Sequence, residues 1–175
     1  LITALLLENF LGFGTRTRIE FPPGPLAEPE LGWARAALAL LAAVPGDLEA
    51  AVKAGVGGGQ LPYGWAAPGS HKAVVALEAE VEGADGLRLH YGLRFSLVFG
   101  NFSVTDELIE DRTANRPLYW YENGTRRQLL WTPEALRELP HDQRNNRRSV
   151  LAWREVLELS PPLAGLAKAL NSAEL

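Results

Sequence analysis

Leu87-Arg88-Leu89-His90-Tyr91-Gly92-Leu93-Arg94-Phe95-Ser96-Leu97-Val98-Phe99 places an apolar or aromatic residue at every odd position and a polar or small one at most even positions. Side chains on a strand point to opposite faces in turn, so this pattern specifies a strand with one face in a core and the other toward water. Upstream, Val75, Leu77, Ala79 and Val81 alternate with Glu78, Glu80 and Glu82, and the turn at Gly83 to Gly86 joins the two segments as a hairpin. Downstream, Phe102 to Ile109 reads as a third strand. Pro117 to Tyr121 and Arg126 to Trp131 then flank Asn123-Gly124, the pair favoured in a tight type I′ turn, which predicts a second hairpin. Residues 70–131 therefore read as an antiparallel β-subdomain.

Further out, Ile2 to Leu7 and Thr15 to Phe21 form another predicted hairpin around the turn from Glu8 to Gly14. Pro22, Pro23, Gly24, Pro25 and Pro29 follow, and the missing N–H groups make this segment a loop. Leu31 to Val44 is rich in Ala and Leu with a single charge, Arg35, and predicts a helix buried on most sides. Pro45-Gly46 ends it, Asp47 caps a short helix from Leu48 to Ala54, and Gly55 stops that one. Gly55 to Ser70 is a loop carrying Gln60, Tyr63 and Trp65. In the tail, Thr132 and Pro133 open a predicted helix to Leu139, a polar linker runs from Pro140 to Arg148, Ser149 begins a helix toward Leu159, and Ser160-Pro161 starts the last one. The expected fold is α/β in one domain. A mixed sheet and buried helix occupy 1–55, the antiparallel β-subdomain 70–131 and carboxy-terminal helices 132–175.

Bulk composition narrows the function classes. The chain has 175 residues, 47% hydrophobic and 22% charged, which is ordinary for a globular domain. Its formal net charge of -4 argues against a nucleic-acid footprint over the whole surface while leaving room for a local basic patch. The absence of cysteine excludes disulfides and thiolate chemistry. No uninterrupted apolar run reaches the ~18 residues of a membrane span, and the start lacks a basic leader, so a cytoplasmic protein without membrane attachment is expected.

The opening from Ile2 through Glu8-Asn9-Phe10 and Gly12-Phe13-Gly14 to Ile19-Glu20-Phe21 resembles the first two strands of RecF/SMC-like (ABC-type) P-loop ATPases. Gly24-Pro25, the Ala/Leu-rich helix ending in Val44-Pro45-Gly46-Asp47-Leu48, Asp142-Gln143, Ser149-Val150-Leu151 and Pro162-Leu163-Ala164-Gly165-Leu166 extend the resemblance over most of the chain. It implies an amino-terminal ATPase lobe of the DNA-repair or chromosome-maintenance type, with ATP and Mg²⁺ as cofactors and a complementary carboxy-terminal lobe, a second copy or DNA as partner. The phosphate loop departs from the pattern. A P-loop needs Gly-x-x-x-x-Gly-Lys-Ser/Thr, in which backbone N–H groups wrap the phosphates, lysine neutralises them and the hydroxyl holds Mg²⁺. Gly24 to Gly32 here has neither lysine nor hydroxyl, and Glu28 and Glu30 stand where the cation belongs. The Asp-Glu pair that follows an aliphatic run and the Leu-Ser-Gly-Gly signature are absent as well. The expectation is a lobe impaired in nucleotide binding, or a non-catalytic module docking a partner lobe or nucleic acid.

Through that resemblance Gly24, Pro25, Gly32, Gln60 and Trp65 are the nucleotide-edge candidates, although the residues of Gly57-Gly58-Gly59-Gln60 themselves read as a plain loop and Trp65 as a packing anchor. Arg144, Arg147 and Arg148 form a basic cluster that suits phosphates or a solvated linker. His71, His90 and His141 lie far apart without metal-ligand spacing. Glu78/Glu80 and Asp106/Glu107 offer paired carboxylates but read as solvated surface, while Ser149 and Ser160 read as helix caps.

Overall fold

In a computed structural model the chain is described at residues 1–22, 24–55, 66, 74–83, 85–98, 100–140 and 146–173. Eight strands form one sheet in the order β2-β1-β3-β4-β5-β6-β7-β8, numbered along the chain. They are β1 (Ile2–Glu8), β2 (Thr17–Glu20), β3 (Val74–Glu82), β4 (Arg88–Val98), β5 (Asn101–Asp111), β6 (Arg116–Glu122), β7 (Arg127–Trp131) and β8 (Leu136–Glu138). Helices α1 (Glu28–Ala43) and α2 (Leu48–Ala54) lie between β2 and β3, and a 3₁₀ turn (Val150–Ala152), α3 (Arg154–Leu159) and α4 (Pro161–Asn171) follow the sheet.

The α/β fold and the carboxy-terminal helices are as the sequence implies, but the sheet is antiparallel at every named pairing, not mixed. The reason is topological: β1 pairs with β2 on one side and with β3 on the other, both antiparallel, so the opening hairpin is continuous with the later strands.

One face of the sheet forms the core. Leu5, Leu7, Leu77, Ala79, Leu93, Phe95, Phe102, Val104 and Ile109 are buried in a cluster with Ala34, Ala37, Leu38, Leu40 and Leu41 of α1 and Leu163, Leu166 and Leu170 of α4. A fully buried Leu contributes about 1.5–3 kcal/mol, so this face carries most of the fold's stability. Helix α1 starts earlier than its periodicity suggests and buries one face, with Gly32, Arg35 and Ala39 exposed on the other. It packs against α2 and α4. Asp47 caps α2 as expected, its Oδ1 accepting from Ala50 N–H at 2.9 Å.

The turn after β1 fastens α1 to the sheet. Asn9 and Leu11 adopt positive φ, and Asn9 Nδ2 donates to Val74 O at 2.7 Å, pinning the start of β3. The Trp33 ring of α1 lies over Gly12, edge-on to Phe13 with centroids 5.1 Å apart.

Three local expectations need correction. Pro133 opens a turn, not a helix: Ala135 N–H donates to Thr132 Oγ1 at 3.2 Å, and Leu136 returns to pair with Trp131 as β8. A seven-residue helix gains little on its own, whereas the free edge of β7 offers hydrogen bonds at once. The β6–β7 connection is a four-residue loop, Asn123 to Arg126, between the paired Glu122 and Arg127, with Arg126 at φ 55°. The expected helix from Ser149 to Leu159 is interrupted at Trp153, whose extended backbone separates the 3₁₀ turn from α3.

Candidate functional site

The segment matching the phosphate loop is short. It runs from β2 through exposed Gly24 and Pro25 to Ala27, and α1 begins at Glu28. Gly32 lies within α1 on its exposed side, so it is not part of a cradle. At the helix start Ala27 N–H donates to the Glu30 carboxylate at 3.0 Å, and Glu28 occupies the same turn. The positive end of the helix dipole thus faces two carboxylates of the chain itself.

Gln60, Trp65, His71, His141 and Arg144 lie outside the described residues. The two other arginines of the basic cluster engage the protein: Arg147 Nη1 lies 3.4 Å from Glu49 Oε1, and the Arg148 guanidinium is 5.0 Å from the centre of the Trp153 ring. Both contacts tie the linker to the helices, through an ion pair and a cation–π contact.

Glu107 does not lie on solvated surface. An irregularity in the β4–β5 ladder pairs Arg94 with Asp106 but Phe95 with Val104, leaving Thr105 as an extra residue that shifts the alternation by one. Phe102 and Val104 point into the core on one side of this bulge, and Glu107 and Ile109 do so on the other. The buried carboxylate accepts hydrogen bonds from Tyr91 Oη at 2.9 Å, from Val150 N–H at 2.9 Å and from Ser149 Oγ. Burial pushes its carboxyl up to about 7, against the hydrogen bonds from Ser149, Val150 and Tyr91. Alongside, Tyr119 Oη donates to Gln128 Oε1 at 3.0 Å and Gln128 Nε2 donates to Pro140 O at 3.3 Å, so buried polar groups join the sheet to the tail. Ser149 also accepts from Leu151 N–H, as a cap does, whereas Ser160 makes no side-chain cap. The sequence carries no clear signal of the bulge, because Phe102, Val104 and Leu108 continue one even-numbered apolar series while the buried positions pass from even at Phe102 and Val104 to odd at Glu107 and Ile109.

The other face of the sheet is polar and carries a cavity of about 330 Å³. Arg16, Glu78, His90, Gly92, Arg94, Asp106, Leu108, Glu110, Arg112 and Trp120 line it. Arg16 Nη2 meets Glu78 Oε2 at 2.6 Å, His90 Nε2 lies 3.3 Å from the same oxygen, and Arg112 pairs with Glu110 at 2.9 Å. Burial works to raise the Glu78 carboxyl, but the His90 hydrogen bond and the Arg16 charge outweigh it and hold it below its ordinary value. His90 does face this side as its register implies, yet only 7% of its side chain is exposed, and Nδ1 is buried without a hydrogen-bond partner. Among the described residues no group of three or more His, Asp or Glu side chains is placed to hold a metal ion. Nor, among them, is any helix long and apolar enough to cross a membrane.

No family model, curated protein or solved structure matches the chain.

Proposed function

We propose that the chain is an amino-terminal lobe of the RecF/SMC-like ATPase kind that no longer holds nucleotide through its phosphate loop and serves as a non-catalytic interaction module for a partner lobe. The carrying observation is the Ala27 N–H donating to Glu30 at 3.0 Å in a helix turn that also contains Glu28. A P-loop presents free N–H groups and a lysine to the phosphates. Here Pro25 and Pro29 supply no N–H, one donor is taken by a carboxylate, and the nearby fixed charge is negative. Like charges about 4 Å apart near a protein surface oppose one another by roughly 4 kcal/mol, enough to remove tight binding of a polyanion. ATP and Mg²⁺ therefore do not fit these residues.

The hairpin, loop and helix in succession from β1 to α1 support the lobe reading, as does the Glu8-Asn9-Phe10 turn that fixes β3. The test is a calorimetric titration with Mg-ATP beside one with adenosine, so that affinity gained from the phosphates is read directly. The expected result is no gain. Mg-ATP binding tenfold or more tighter than adenosine, about 1.4 kcal/mol, would restore a working nucleotide site.

A further inference from the structure

The polar face of the sheet holds a site that the phosphate loop does not explain. Its floor is Gly92, in the middle of the long strand β4. A glycine inside a strand weakens it, and a structural reason is normally visible. None is visible here. Gly92 is not among the positive-φ residues, the ladder irregularity falls beyond Arg94, and a Cβ placed on it would meet its nearest neighbours, His90 Nε2 and the Glu78 and Leu108 side chains, no closer than 3.7 Å. With a bulge and a positive φ set aside, close approach by a ligand is the remaining setting for such a strand glycine that fits its place in the cavity lining.

The walls specify the ligand's chemistry. Glu107 also borders the cavity but turns its carboxylate into the core, so on this face Arg16, Arg94 and Arg112 stand against Glu78, Asp106 and Glu110 and the fixed charges balance. A phosphate would meet three carboxylates and a guanidinium would meet three arginines; neither is favoured. Arg16 and Arg112 already pair with Glu78 and Glu110. Arg94 and Asp106 sit directly opposite one another in the β4–β5 register, yet form no ion pair together among the described residues. They leave donors and acceptors side by side. Trp120, half-buried, stands across β5 opposite Leu108 and supplies an aromatic surface to the same cavity. His90, almost fully buried in the wall, turns Nε2 to Glu78 at 3.3 Å, and its buried Nδ1 does not open onto the cavity. A flat, uncharged ring with alternating donors and acceptors along its edge suits the open Arg94–Asp106 pair and the Trp120 surface. The volume is at the small end of the roughly 300–1,000 Å³ typical of ligand pockets.

We propose that the Gly92 cavity binds a nucleobase, stacked against Trp120 and read along its edge by Arg94 and Asp106. The base comes either from a free nucleoside or from an unstacked position of a single-stranded nucleic acid, since aromatic stacking recognises both. The test is calorimetric titration of the full chain with each of the common nucleosides and with short single-stranded homo-oligonucleotides. Saturable binding is expected, independent of Mg²⁺. Trp120→Ala should weaken it about tenfold or more, as loss of a base–aromatic stack does, and Gly92→Leu should abolish it by filling the floor. Asp106→Asn should change the preference among bases. Saturation by oligonucleotides alone identifies a base within a strand, and saturation by nucleosides alone a free ligand. Absence of saturation by every nucleoside and oligonucleotide overturns the proposal. So does binding that Trp120→Ala leaves unchanged in protein with an unaltered melting transition, and this variant decides the matter if Gly92→Leu does not fold. Nucleosides carry no phosphate, so failure here leaves the reading of the Gly24 loop as it stands.

Discussion

At Gly12 a β-carbon would lie 1.9 Å from Trp33 Cη2, with Cζ2 and Cζ3 of the same ring at 2.2 and 2.3 Å. The indole is held by its edge contact with Phe13 and cannot swing aside without leaving the core. Gly12→Ala should therefore destabilise the protein by about 1–3 kcal/mol, the usual cost of overpacking, measurable by urea denaturation. Glu107 makes a second residue-level prediction. Its carboxyl titrates near 7 in the folded protein against an ordinary 4.5. As pH rises through that interval the unfolded chain releases its proton while the folded one retains it. Stability consequently falls with rising pH, by roughly 3 kcal/mol over the whole interval. Glu107→Gln removes the titration and keeps an acceptor for Val150 N–H. The difference in unfolding free energy between variant and parent should move in the variant's favour from about pH 4 to pH 8, and a flat difference would show that Glu107 titrates normally.

Elements were legible where one periodicity ran unbroken. The alternation along Val75 to Val81 and Leu87 to Phe99 placed β3 and β4 almost to the residue, and the Asp47 cap placed α2. Asp47→Ala should cost about 1 kcal/mol through the lost Ala50 hydrogen bond, read from the thermal transition. Legibility failed where a single extra residue reversed the pattern. Thr105 inverts β5, so the alternation in the sequence points Glu107 to water although it lies in the core. It failed again at β8, because Leu136, Arg137 and Glu138 carry too little pattern to specify a strand and depend on β7 for their partners. The Gly24 loop was readable for its charges but not for the Ala27–Glu30 hydrogen bond. The Gly92 cavity was invisible, since it arises from register across β3, β4, β5 and β6.

Among the described residues, one sheet joins the opening hairpin to the last strand, and a single core cluster runs from Ile2 to Leu170. The three sequence segments share hydrogen-bonded strands and buried side chains. A single cooperative unfolding transition is expected, with calorimetric and van't Hoff enthalpies equal; two resolved transitions would show that the tail and sheet melt apart. The outer strands are short and charged, with Arg18 and Glu20 on β2 and Arg137 and Glu138 on β8, which discourages edge-to-edge aggregation.

The strand order also sets a sequence of events in time. From β3 to β8 every neighbour in space is the neighbour in sequence, so each hairpin closes over a short loop and the zipper can start locally. Only β1 must find β3 across both α1 and α2. Loop-closure entropy makes that pairing the slowest to gain from its contacts. During refolding, amides of β4 and β5 should gain protection from exchange before those of β1. The edge of β3, whose first residue is later bonded by Asn9, stays open longest to a competing strand.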